Sequence, residues 1–215
     1  VKAIQGDKPI GGPCEGCELL GNGKPDTIGS KDYSPAWAEK GQKLLLTGTV
    51  YDIDGKTPVP GVIIYYYQTN TEGRYLHITS QSRSMPPNEK GQTHGYIRGW
   101  VKSDQNGRYF IYTSRPGSYP GRDEPAHIHL TIKEPGFENA YYIDDAVFDD
   151  DKLLVGQKRT RMEYRCGSGV MHIVQKDGLQ IGERNIILGL NIPGHPKAKA
   201  LNTNTGKKSN LAKGR

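Results

Sequence analysis

The 215 residues suffice for one domain with a substantial core and are too few for two ordinary ones. A hydrophobic fraction of 34% is low, yet 28 Gly and 14 Pro set among short apolar runs, with 13 Tyr to supply buried ring surface, describe a loop-rich all-β protein and exclude a disordered chain. The net charge of +6 draws on a basic stretch near the end of the chain, read as a solvated tail; without a recognition helix or stacking platform beside it, nucleic acid is excluded as a partner.

Residues 1–42 are rich in Gly, Pro, Asp and Lys without a period of 2 or 3.6, and are expected to form an irregular N-terminal arm that packs against the domain. The start at Val1 has no signal-peptide pattern and reads as that of a mature or trimmed protein. Within the arm, Cys14 and Cys17 form a C-x-x-C in GGPCEGCE. A structural zinc site would need a second such pair, and a thioredoxin-type motif a preceding strand and a following helix, so either a local disulfide in an exported protein or free thiols remain. Cys166 stands alone. No apolar run approaches the roughly 18 residues of a membrane span.

From Lys43 the texture changes. KLLLTGTVYDIDG and GVIIYYYQTN are dense in β-branched and aromatic residues, and with Asp54-Gly55, Pro58 and Pro60 between them they predict a hairpin-like pair of strands. A long loop over residues 70–92 has the length of a functional segment. GYIRGWVKSD and RYFIYTSRP flank the turn residues Asp104 to Gly107, and AHIHLTIKEP and AYYIDDAVFDDD follow. DKLLVGQKRTRM is the best helix candidate, and GVMHIVQKDG with ERNIILGLNI reads as a final strand pair. The acidic run from Asp144 to Asp151 lacks the spacing of a calcium loop and reads as a solvated turn. The expected architecture is therefore all-β: an antiparallel sandwich of about eight strands over residues 43–191, with long loops, an irregular arm before it and a flexible basic tail at 192–215.

In PAHIHL, His127 and His129 stand two apart on a predicted strand, whose period of 2 turns both imidazoles to one face. Such a pair serves either as ordinary strand histidines or as half of a zinc, copper or iron site that needs further ligands. EGRYLH on the long loop and PGSYP just before PAHIHL supply tyrosines in the right chain order. Together YQTNTEGRY, RPGSYP and PAHIHL, with Asp104, Gly107 and Tyr109 in the intervening strands, resemble the intradiol ring-cleaving dioxygenases, the family of catechol and protocatechuate cleavage enzymes, over about half the chain.

The resemblance implies Fe(III) held by Tyr75, Tyr119, His127 and His129, a small aromatic diol and O2 as reactants, and cleavage between the two hydroxyl-bearing carbons to a muconate-type diacid. It also implies that Tyr119 leaves the metal when substrate binds and takes up a proton. Anionic phenolate ligands offset ferric charge and hold iron oxidised. Where family members carry Arg before P-A-H-x-H, this chain has Glu124, so Arg98 and Arg122 are the candidate cations at the substrate, Arg98 with a catalytic role. Where the family has Gln, Asp145 stands, and with Glu124 it is expected to repel carboxylated catechols. His77 and His94 are assigned nothing beyond contact with substrate; His172 and His195 are structural or surface residues. The GGPCEGCE arm resembles that of exported bacterial members, which implies a secreted, periplasmic or cell-surface enzyme acting on catechols of the kind released from plant phenolics; a homo-oligomer is compatible with all of this. The alternatives are a catalytically impaired or non-enzymatic sandwich that binds metal or catechols, the same ligands loaded with copper or zinc, and a metal-free carrier module.

Overall fold

A computed structural model describes residues 10–14, 16–89, 91–156 and 162–197 of the protein. Its strands form two facing sheets, the all-β sandwich expected from the sequence. Alternation is cleanest in β2 (Lys43–Tyr51), where Leu44, Leu46 and Val50 are fully buried and the residues between them half-buried. The first sheet has the order β1-β5-β2-β10-β9, with β11 also on β2; these strands are β1 (Lys31–Tyr33), β5 (Arg108–Ser114), β9 (Ile173–Lys176), β10 (Leu179–Glu183) and β11 (Ile186–Ile187). The second runs β4-β3-β6-β7-β8, made of β3 (Ile63–Gln68), β4 (Arg98–Lys102), β6 (His127–Lys133), β7 (Tyr141–Phe148) and β8 (Val170–Met171). Leu44, Leu46 and Ile111 of the first sheet and Ile64, Ile128 and Leu130 of the second meet in the main core. Each such side chain contributes about 1.5–3 kcal/mol on burial.

Several local expectations are corrected. β2 and β3 are not a hairpin: both edges of β2 are taken by β5 and β10, and the chain between them crosses to the other sheet. Pro58 bridges back to Tyr51, then Gly61 donates its N–H to Ser103 O beside β4. The Asp104–Gly107 turn forms, with Gly107 N–H on Asp104 O, but it too is a corner between sheets, since β4 pairs with β3 and β5 with β2. Pairing is mixed: β1–β5, β2–β10, β2–β11 and β7–β8 are parallel. At the C-terminal end the hairpin is β9–β10 around Asp177-Gly178, while ERNIILGLNI contributes only the short β11. Residues 152–153 and 156 are turn, and the rest of the expected helix over 157–161 lies outside the described residues, as does the basic run from 198 onward.

The arm is partly regular. Its β1 extends the first sheet, and Asp32 in it accepts hydrogen bonds from Tyr66 Oη and, at both oxygens, from Arg83. Its Leu20 and Ile28 cover Tyr65 and Trp100 on the outer face of the second sheet, where Trp100 Nε1 donates to Leu20 O. In β6, Ile128, Leu130 and Ile132 fill the core, so the period of 2 turns His127 and His129 to that same outer face, beside Tyr67 of β3. The functional groups thus gather outside the sandwich, under a roof of arm and loops.

Candidate metal centre

Each tyrosine of the centre arrives on its own loop. Asn70 Oδ1 accepts the N–H groups of Glu72 and Arg74, closing the turn that projects Tyr75. Gly73 has φ +75, and a β-carbon there would collide with Ser118 O; one at Gly117 would collide with Thr71 O. Only glycines let these two backbones touch. That contact brings Tyr75 Oη within 2.9 Å of Tyr119 Oη.

The histidines are aimed by their Nδ1 atoms. His127 Nδ1 lies 2.8 Å from Pro125 O, which can only accept, and His129 Nδ1 lies 2.9 Å from Asp145 Oδ1. Both Nδ1 atoms therefore carry the proton, and both Nε2 lone pairs face inward, 3.2 Å apart. Tyr119 Oη is 3.1 Å from one and 3.3 Å from the other. Nitrogen and oxygen ligands about 2.0–2.2 Å from a metal stand about 3 Å from one another, so Tyr119 Oη and the two Nε2 atoms fit a single ion, with Tyr75 Oη beside Tyr119. Two facing lone pairs repel unless a cation lies between them. Burial, and then the neighbouring Tyr119, push the Tyr75 hydroxyl far above its ordinary range, and burial also raises Tyr119. A strongly polarising cation is what would release those protons.

Asp145 owes its aim to a bulge. The β6–β7 register shifts between Ile128 and Leu130, leaving Asp144 and Asp145 opposite the single residue His129. Asp144 accepts the N–H groups of Tyr164 and Arg165, while Asp145 turns to the imidazole. Burial raises the Asp145 carboxyl, but the attraction and hydrogen bond of the His129 Nδ1–H outweigh it and hold the group below its usual range. His127, His129 and Asp145 lie close enough to form a ligand trio, yet Asp145 bonds the far nitrogen of a ring whose Nε2 faces the tyrosines. Its place is behind His129, as an outer carboxylate.

Tyr75, Tyr119 and His129 line a cavity of about 910 Å³ together with Arg74, His94 and Arg122, and with Gly16, Glu18 and Leu19 of the arm as one wall. Arg122 also sits 5.5 Å from the Tyr119 ring centroid. Glu124 and Asp145 are absent from this lining; both line a second cavity of about 590 Å³ that shares Arg122 and also includes His127. Asp145 is therefore a support for His129 and not a lining residue of the larger cavity. The expectation of Arg98 as a cation at the substrate is corrected: only 2% exposed, it gives its N–H groups to Arg83 O, Asn22 O and Tyr65 Oη, which ties the arm to β4. Its strand position looked like that of a free cation because the arm carbonyls that occupy it are some 76 residues away in sequence. His77 bonds Ser84 at the surface, His172 pairs with Asp149, and His195 is buried against Glu134.

Sequence reasoning missed Tyr67 and the arm as parts of this region, and gave His94 nothing beyond contact with substrate. Tyr67 stacks on His129 (ring centroids 4.4 Å) and on His94 (3.6 Å). Alternation in GVIIYYYQTN places Tyr65 and Tyr67 on one face, a usable signal; a lone loop histidine carries none. Burial, His129 and Arg98 push the His94 imidazole down to about 3, so it is neutral.

A family model described as Dioxygenase matches residues 26–160. The protein is 34% identical over 120 residues to the protocatechuate 3,4-dioxygenase beta chain of Burkholderia cepacia, an alignment covering 53% of this chain and 48% of that one. It is 28% identical over 130 residues to catechol 1,2-dioxygenase of Acinetobacter baylyi, covering 53% and 39%. The chain thus spans half or less of the length of these relatives. The dioxygenase domain of a dioxygenase and carbohydrate-binding protein fusion from Streptomyces sp. SirexAA-E shares the fold, with a TM-score of 0.53 at 21% identity over 77% of this chain and 90% of that domain. With more than half of its length matched by the family model, and with that fold, the chain belongs to the intradiol ring-cleavage dioxygenases.

Proposed function

We propose that this protein is a non-haem Fe(III) dioxygenase that opens the ring of a catechol between its hydroxyl-bearing carbons, adding both atoms of O2 to give a muconate-type diacid. One observation carries the reading: two imidazole Nε2 atoms, each with its lone pair fixed by an acceptor at Nδ1, face each other at 3.2 Å beside two phenol oxygens. Tyr75, Tyr119, His127 and His129 would hold the metal. When bound, Fe(III) supplies Lewis acidity toward the catechol oxygens and a redox centre for the reaction with O2.

The residues of the chain do the rest. Asp145 and Pro125 O keep the two imidazoles in their donor tautomers. Tyr119 Oη, close to both histidines and lining the larger cavity, would, as the phenolate that a bound cation favours, accept a proton from a substrate hydroxyl and become the neutral phenol. Arg122 beside the Tyr119 ring favours the resulting negative charge on the diol. Residues 43–191 act as the catalytic domain, with the arm as a wall of its cavity. Export fits the Cys14–Cys17 disulfide, since such bonds persist in oxidising compartments.

The test is oxygen uptake by iron-loaded protein over a panel of catechols, with the product identified by mass. One O2 consumed per diacid formed is the expected result. Iron binding and colour without O2 consumption would instead support the non-enzymatic reading, and failure to bind iron at all would remove the metal centre.

A further inference from the structure

We propose that His94 is a specificity-determining residue, whose Nε2–H donates to a hydrogen-bond-accepting oxygen on the substituent of a ring-substituted catechol; this rests on the ring-cleavage reading above. The tautomer follows from a chain of hydrogen bonds with one possible direction. Arg98 is donor only, and it gives an N–H to Tyr65 Oη at 3.1 Å. Tyr65 Oη lies 2.8 Å from His94 Nδ1. The buried Tyr65 hydroxyl accepts from Arg98, and its own proton has no acceptor among the described residues other than Nδ1, so the ring hydrogen of His94 sits on Nε2.

That Nε2–H has no hydrogen-bond acceptor among the described residues, although His94 is only 7% exposed and lines the larger cavity. It points past the arm at Gly16, where a β-carbon would come within 2.7 Å of it. Solvent reaches this donor through the cavity, and an oxygen atom of a bound substrate can take the place of water on it. The Tyr67 ring, stacked on both His94 and His129, spaces the donor one ring away from the metal-binding nitrogens. His94 therefore addresses the substituent and not the diol. Tyr65 and Arg98 are positioning residues, acting through His94.

Equilibrium binding to the iron-loaded full chain without O2 tests this, using 3,4-dihydroxyacetophenone and its near-isostere 4-isopropylcatechol, which lacks the acceptor. His94→Phe is expected to weaken acetylcatechol binding about fivefold more than isopropylcatechol binding, the worth of one neutral hydrogen bond. His94→Gln, which keeps a donor, should recover part of that preference. Tyr65→Phe, which frees the tautomer, should reduce it in the same direction, and both milder variants keep the test open if His94→Phe does not fold. Equal weakening of the two ligands in these variants overturns the assignment and leaves His94 a packing residue. A wild type that binds both catechols with no dependence on residue 94 overturns this inference alone, whereas one that binds neither overturns the ring-cleavage reading with it.

Discussion

His127 and His129 show how little of a side chain's chemistry lies in its own position. Their spacing puts them on one face, but Pro125 O and Asp145 decide which nitrogen each presents. His127→Ala or His129→Ala is expected to lose most of the bound iron, read by metal analysis, while Tyr119→Phe should keep iron, change its absorption and slow turnover. Asp145→Asn should keep the fold and weaken iron by about 10–100-fold, the usual worth of an outer carboxylate on a ligand histidine; a competition titration with a chelator measures it, and unchanged affinity would return Asp145 to the status of a surface acid. His127 and His129 were legible as a pair from the strand period, and Tyr75 and Tyr119 as their companions from the family resemblance, whose order and spacing belong to contiguous motifs. Arg98 was misread, and His94 given nothing beyond contact with substrate, for the opposite reason: what occupies the one and orients the other comes from the arm and from β3.

At the scale of elements, the glycines of EGRY and PGSY tie sequence to site. Gly73→Ala would place a β-carbon against Ser118 O at φ +75, a conformation that costs an L residue about 1–2 kcal/mol before any clash is counted. The two loops should separate, moving Tyr75 from Tyr119. The expected outcome is loss of iron together with a lowered thermal midpoint, whereas Gly12→Ala, which meets no neighbouring atom, should leave iron binding intact despite the same sign of φ. Turn signals were read correctly as turns. Whether a turn joins neighbours in one sheet or carries the chain across to the other was not legible, because the partners of β2 and β5 are chosen by ladders distant in the chain. The β7 bulge was hidden in the same way, since strict alternation would give Asp145 the same facing as the core residue Ile143.

For the molecule as a whole, two buried acids make stability fall in alkali. Burial pushes the Cys166 thiol from 9.0 up to about 12, and pushes the Tyr65 hydroxyl from 10.0 up to about 12, the latter despite the opposing effect of Arg98. Between those limits the unfolded chain has lost protons that the native one keeps, so stability is full below about pH 9 and declines as pH rises toward 12. Urea midpoints at pH 8 and pH 10.5 check this, and a rise between them would contradict it. The same burial predicts that Cys166 resists thiol reagents at pH 8 until the protein is unfolded.

By itself the sequence determined the all-β class and the shared face of the two histidines, because these depend on the period of a strand, and through its resemblance to a family it pointed to Tyr75 and Tyr119 as their companions. Only the tertiary structure decided which sheet each strand joins, that the arm walls the cavity and occupies Arg98, that a bulge turns Asp145 onto His129, and that the acidic residues face a second cavity. Those outcomes depend on backbone ladders and hydrogen bonds between segments far apart in the chain, whose pairing is selected by the packing of the whole molecule and leaves no local mark.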